Sequence, residues 1–194
     1  MKVNEIFYSL QGEGYHSGTP SIFVRLSGCN LRCPFCDTQH DEGTEMTDEE
    51  IVREVSQYPA RRVVITGGEP SLQLTRQLVS ALHGADKIVS VETNGTHSLP
   101  ANIDWITLSP KDIWLGKKAV PVLGVVDELK VVFDGEHEPA KYEGVLCTHG
   151  RFLQPCDTGD PQRNAAIVQK AVEYCKAHPQ WQLSLQLHKI LNIR

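Results

Sequence analysis

RVVITGGEPSLQLTRQLVSALHGADKIVSVETNG, residues 62–95, reads as strand, helix, strand. The apolar run 62–68 breaks at two glycines, a helix is expected over 71–83, and 87–95 is a second apolar run closing at Asn94-Gly95. A strand joined to the next strand by a helix lies parallel to it, through a right-handed crossover.

The same alternation extends in both directions. Further strands are expected at SIFVRLSG (21–28), DWITLSP (104–110), ELKVVF (128–133), RFLQP (151–155) and QLSLQLH (182–188). They are rich in Val, Ile and Leu and end in turn residues, as buried parallel strands do. TDEEIVREVSQY (47–58) opens with Thr47 as N-cap and Glu50 three residues on, a capping box, and predicts a helix. A third helix is expected over 161–178, spaced by Ala165, Val168, Ala171, Val172 and Cys175. Segments 113–127 and 134–149 read as mixed. The fold class is therefore α/β. Six or seven strands are too few for the usual eight-stranded closed barrel, so a partial, open (β/α) barrel of about six parallel strands is expected, with every polar motif at a strand's C-terminal end. No linker or repeat divides residues 1–194, which read as a single domain.

With 19 lysines and arginines against 24 acidic residues, the net charge is −5. That balance offers no basic field for nucleic acid or an anionic membrane and points to small molecules or proteins as partners. The start, MKVNEIFYSLQGEG, lacks the apolar stretch of a secretory signal, and no segment reaches the roughly 18 apolar residues of a membrane span. A cytoplasmic chain is expected, and its six cysteines then read as ligands or spare thiols more than as disulfides.

Three of those cysteines crowd one loop, GCNLRCPFCDTQH (28–40): Cys29, Cys33 and Cys36. Three thiolates can hold three irons of a [4Fe-4S] cluster and leave the fourth iron open. A structural zinc with His40 as fourth ligand is the competing reading. Cys147, Cys156 and Cys175 supply no second ligand pair, although Cys156 in QPCD could complete a closed cluster.

CxxxCxxC with Phe35 before the last cysteine resembles the cluster loop of the radical S-adenosylmethionine superfamily. The resemblance implies that the open iron binds the cofactor's amino and carboxylate groups, and that an electron from the cluster releases a 5′-deoxyadenosyl radical. It also implies a binding role for the loop after the next strand, TGGEP: Gly67 and Gly68 permit close approach of backbone, and Glu69 offers a carboxylate to the cofactor's ammonium. LSPK (108–111) and QPCD (154–157) would place Ser109, Pro110, Lys111, Gln154, Pro155, Cys156 and Asp157 around ribose and methionine, with Phe35 and Asp37 beside them. ETNGT (92–96) adds small polar groups to the same rim.

Within that superfamily, LQGEG, the strand carrying Arg25, CDT (36–38), TGGEP, SPK and a tail QLHKILNI together resemble the 7-carboxy-7-deazaguanine synthase family over nearly the whole chain. The resemblance implies conversion of 6-carboxy-5,6,7,8-tetrahydropterin to 7-carboxy-7-deazaguanine with loss of ammonia, toward queuosine, with magnesium assisting and S-adenosylmethionine regenerated. It implies a pterin site at Leu10, Gln11, Gly12, Glu13, Arg25 and Thr66. There Arg25 would grip the substrate carboxylate, and Gln11 the amide edge. Thr38, or Asp37 in its place, would meet magnesium. Arg194 could present a carboxylate to a guanine-like edge, while His188 and Lys189 read as site residues or as a solvated strand end. A flavodoxin or ferredoxin-type electron donor and a homodimer are expected. The short region between the cluster loop and TGGEP departs from the pattern and leaves the donor's identity open. Two other readings remain: a glycyl-radical activating enzyme, which has no use for LQGEG or CDT, and a non-enzymatic zinc or iron-sulfur module.

Overall fold

A computed structural model describes residues 1–194. Its strands are β1 (Lys2–Leu10), β2 (Pro20–Leu26), β3 (Thr44–Glu45), β4 (Arg62–Gly67), β5 (Ile88–Thr93), β6 (Trp105–Leu108), β7 (Val125–Phe133), β8 (Leu146–Pro155) and β9 (Trp181–Leu183). Its helices are α1 (Asp48–Val55), α2 (Arg76–Gly84), α3 (Asp112–Leu115), α4 (Pro161–Ala177) and α5 (Leu187–Leu191). All nine strands form one sheet in the order β3-β1-β2-β4-β5-β6-β7-β8-β9. From β2 to β9 every pairing is parallel, while β1 runs antiparallel to both its neighbours. The sheet is open and not closed into a barrel, and no helix is long and apolar enough to cross a membrane.

The parallel strands alternate in a way that sets up the site. Val63 and Ile65 of β4, with Ile22, Val24, Val89 and Val91, pack against Ile51 and Val55 of α1 and Leu78, Val79 and Leu82 of α2. Leu129, Val131, Phe133 and Leu153 do the same against Ile167 and Ala171 of α4. Each fully buried aliphatic side chain contributes about 1.5–3 kcal/mol, so one face carries the stability. The opposite face is free to be polar: Arg25, Thr66, Glu92, Ser109, Lys130 and Gln154 line a pocket there. Polar and apolar residues share that face, where Phe7, Phe23 and Val64 form a small buried cluster beside the pocket.

Several boundaries differ from expectation. Residues 2–10, outside every run read as a strand, form β1, whose Phe7 stacks on Phe23 of β2 at 4.9 Å. The helix expected over 71–83 is split: Glu69 caps a short 3-10 turn at Pro70–Leu72, and α2 begins only after Thr75, whose side chain accepts from Leu78 N. The run 182–188 is strand only as far as Leu183; the next residues turn, and Leu187 N donates to Gly12 O at 3.0 Å, starting α5. The capping box of α1 is present as read, with Thr47 N to Glu50 Oε2 at 2.8 Å and Glu50 N to Thr47 Oγ1 at 3.2 Å.

Candidate active site

A pocket of about 800 Å³ lies on the polar face of the sheet. Of the residues that the family resemblance names individually for cluster, cofactor, substrate and magnesium, it brings together all but one: Leu10, Gln11, Gly12, Glu13, Arg25, Cys29, Cys33, Phe35, Cys36, Asp37, Thr38, Thr66, Gly67, Gly68, Glu69, Ser109, Lys111, Gln154, Pro155, Cys156, Asp157 and Arg194. Pro110 is the exception. It is buried and lines nothing, because the chain turns there between two residues that do face the pocket. His188 and Lys189 line the pocket as well.

One end of the pocket is formed by the cysteine loop that follows β2. Asn94 Nδ2 donates to Asn30 Oδ1 at 3.0 Å and Asn30 Nδ2 to Thr96 Oγ1 at 2.9 Å, so ETNGT holds that loop in place. Phe35 meets Trp114 edge-on at 4.6 Å. The two glycines of TGGEP line the pocket and also serve backbone packing. A Cβ on Gly68 would stand 1.8 Å from Gly28 O, and one on Gly67, at φ +115°, 2.2 Å from Leu26 O.

The opposite end is formed by QGEG. Because β1 is antiparallel to β2, Leu10 pairs with Pro20 at the start of β2, and the following loop lies at the N-terminal ends of the parallel strands. Tyr15 and His16 rest on Trp105, the first residue of β6, at 5.1 and 4.3 Å. QGEG thus sits at a strand's C-terminal end, as expected, but that strand is the antiparallel β1, so the motif faces the pocket from the side opposite the other loops. Gln11 and Glu13 line the pocket from this loop, Gln11 Nε2 donating to Glu92 Oε1 at 2.9 Å.

Glu69 is 1% exposed. It accepts from Thr93 Oγ1 at 2.5 Å, Ser71 N at 3.0 Å and Asn94 N at 2.7 Å. Three of roughly four acceptor positions on a carboxylate are thus filled by neutral donors, and none by a cation. Lys111 donates to Ser109 O and Oγ, both at 2.6 Å, and burial lowers its pKa to about 8. Arg25 gives only Nε to the protein, to Glu5 Oε1 at 2.8 Å, and lies over the Phe7 ring. Arg194 also pairs with Glu5 and covers Phe7, while its backbone oxygen accepts from Ser9 Oγ at 2.6 Å. Lys189 ties Asp37 (3.0 Å) to Asp157 (2.7 Å), and its hydrogen bond helps hold Asp157 well below the usual carboxylate range.

Sequence reasoning missed Lys130, which is 4% exposed within the run ELKVVF. Its Nζ lies 2.6 Å from Glu13 Oε2 and 3.3 Å from Glu92 Oε2. Burial alone would lower the lysine, but Glu13, Glu92 and Glu128 raise it overall. Burial likewise pushes Glu13 up, and Lys130 with Gln186 brings it below its ordinary value. Glu128, next on the same face, is raised to about 7, chiefly by burial. The available signal was a lone lysine inside an apolar strand, where only a paired charge is stable.

The donor set at Cys29, Cys33 and Cys36 decides what the loop suits. All three thiols are free, and burial pushes Cys29 and Cys33 up. Tetrahedral zinc, with Zn–S about 2.3 Å, needs its sulfurs within about 3.8 Å of one another. His40 is 5% exposed and lines no part of the pocket. A cluster takes one thiolate per iron, and three free cysteines on one loop at the pocket's edge supply three.

An open parallel sheet, a three-cysteine loop after its first parallel strand and a GGE turn after the second define a radical S-adenosylmethionine enzyme. The family model "Radical SAM superfamily" matches residues 23–112. Similarity then extends to the whole chain. The 7-carboxy-7-deazaguanine synthase of Bacteroides thetaiotaomicron is 53% identical, with 100% of this chain and 98% of that protein covered. The Bradyrhizobium diazoefficiens enzyme of the same name is 39% identical over 99% and 98%. The crystal structure of QueE from Escherichia coli superposes with a TM-score of 0.76 at 29% identity, covering 96% of this chain and 94% of that one. The chain belongs to the 7-carboxy-7-deazaguanine synthase family. That membership brings with it a [4Fe-4S] cluster, S-adenosylmethionine and a small-molecule substrate.

Proposed function

We propose that this chain converts 6-carboxy-5,6,7,8-tetrahydropterin to 7-carboxy-7-deazaguanine with loss of ammonia, acting as one catalytic domain. The observation that carries this reading is the meeting, in one pocket, of the cysteine loop at one end and the QGEG floor at the other, with Arg25 on the wall between them. Cys29, Cys33 and Cys36 hold the cluster, which with S-adenosylmethionine supplies, when bound, the one-electron chemistry that yields a carbon radical. Glu69 has one acceptor position left for the cofactor's ammonium. Gly68, Ser109, Lys111, Gln154, Pro155, Cys156 and Asp157, with Phe35 and Asp37, surround the rest of it.

The protein's own contribution is placement. Arg25 keeps both terminal nitrogens free of protein partners, which suits bidentate capture of the substrate carboxylate. Gln11 and Glu13, backed by Leu10 and Gly12, take the pterin's N–H edge from the floor, with Thr66 and Arg194 flanking. The ring is thereby fixed at both ends, with C6 toward the cysteine loop. Asp37 is engaged by Lys189, whereas the Thr38 hydroxyl has no protein partner; this supports Thr38 as the magnesium donor, an ion that needs few protein ligands. A homodimer and a flavodoxin or ferredoxin-type donor complete the reading. Val125 and Leu146, paired across β7 and β8 and 61% and 64% exposed, are apolar surface suited to the dimer.

The test is anaerobic: reduced, reconstituted protein is mixed with S-adenosylmethionine, magnesium and the carboxytetrahydropterin, and the deazaguanine absorbance is followed. Cleavage of S-adenosylmethionine without any deazaguanine would refute the substrate assignment.

A further inference from the structure

Lys130 is a buried cation gripped by two carboxylates from distant segments. Glu13 comes from the floor loop and Glu92 from β5. Glu13 Oε1 accepts from Gln186 Nε2 at 3.0 Å and Gln154 Nε2 at 3.3 Å, and Glu92 Oε1 from Gln11 Nε2 at 2.9 Å, so Glu13 Oε2 and both oxygens of Glu92 each keep one acceptor position for a ligand. A lysine this buried costs stability unless paired. The preceding and following residues, Leu129 and Val131, show that the strand is anchored from its other face. The lysine is thus not needed for the core.

We propose that Lys130 is a positioning residue that sets substrate recognition. By bridging Glu13 and Glu92 it offsets the repulsion between them and fixes them as acceptors for the N–H edge of the pterin, leaving the trio with one net negative charge. Without the ammonium, two carboxylates within bonding distance of the same point repel, and one takes up a proton. A protonated carboxyl is a donor, and a donor facing the ring's N–H groups is a mismatch. Glu92 also holds the Gln11 amide, so the error spreads along the floor. The single net charge matters too, because the substrate brings a carboxylate of its own.

This inference rests on the function proposed above, and the experiment separates the two. Wild type, Lys130→Met and the double variant Lys130→Met with Glu92→Gln are reconstituted. Binding of the carboxytetrahydropterin is measured calorimetrically without reductant, alongside kcat and KM. The EPR change that S-adenosylmethionine induces in the reduced cluster reports on the other half of the pocket. Lys130→Met is expected to weaken substrate binding and raise KM by roughly 30-fold or more, the usual scale for unpairing a buried charge, with the EPR change intact. Removing the second charge should recover about tenfold of that loss, which a purely structural lysine would not allow. If Lys130→Met does not fold, a double variant that folds and binds supports the proposal, and one that also fails to fold overturns it. An unchanged Kd in Lys130→Met, or no recovery in the double variant, overturns the role of Lys130 while wild type still makes product. A wild type inert toward the tetrahydropterin overturns the function itself.

Discussion

Adding a single methyl group at Gly68 should unseat the cysteine loop. In Gly68→Ala the new Cβ would stand 1.8 Å from Gly28 O and 2.4 Å from Gly28 C. Both are backbone atoms and cannot rotate away, so residues 28–29 must move by more than about 1 Å to reach an ordinary contact. The same junction carries hydrogen bonds from Gly68 N to Leu26 O (2.9 Å) and from Glu69 N to Gly28 O (2.8 Å). Stretching both costs about 2–4 kcal/mol, a fall in Tm of roughly 5–15 °C for a chain of this size. Displacing the loop by about 1 Å should cut turnover about 100-fold or more. Iron content after anaerobic reconstitution, cluster absorbance and a melting curve measure the three effects. Gly84→Ala is the control: nothing lies within 4 Å of its Cβ at the end of α2, so it should be neutral or stabilise by about 0.4–1 kcal/mol. A Gly68→Ala variant with wild-type iron, stability and turnover would refute the reasoning.

Cys33→Ala should abolish deazaguanine formation and lower bound iron while shifting Tm little, because Cys33 is only partly buried on a loop; circular dichroism and iron analysis check it. Ile65→Ala should cost about 2–5 kcal/mol, since Ile65 is fully buried against the helices, and a urea titration reads this directly. Glu128→Gln should stabilise the protein at neutral pH. The folded carboxyl, raised from 4.5 to about 7 mainly by burial, binds more protons than the unfolded chain between those values, so wild-type stability falls as pH rises from about 4.5 to 7. The variant should lose that slope, worth roughly 2–3 kcal/mol; an unchanged slope in Tm against pH would contradict the assignment.

The sequence by itself determined the parallel α/β class, the start of α1 and the extent of α4, and most of the pocket residues. Its local signals were enough because the chemistry is carried by short motifs: three cysteines on one loop, a GGE turn and the polar residues at strand ends. Even the capping box at Thr47 and Glu50 is a four-residue affair. Pairing and direction are different in kind. Whether β1 runs with or against β2 depends on contacts such as Phe7 with Phe23, and only that choice puts QGEG on the pocket floor, opposite the cysteines. The glycines of TGGEP likewise read as pocket residues, and only the fold adds that Leu26 and Gly28 pack against them. Lys130 was the largest loss, because a lone lysine in a strand is unremarkable until Glu13 and Glu92, from segments far away in the chain, close around it. Covalent neighbours settle what an element is, whereas the partners of a buried charge are settled by the fold, since only tertiary packing brings them within hydrogen-bonding distance.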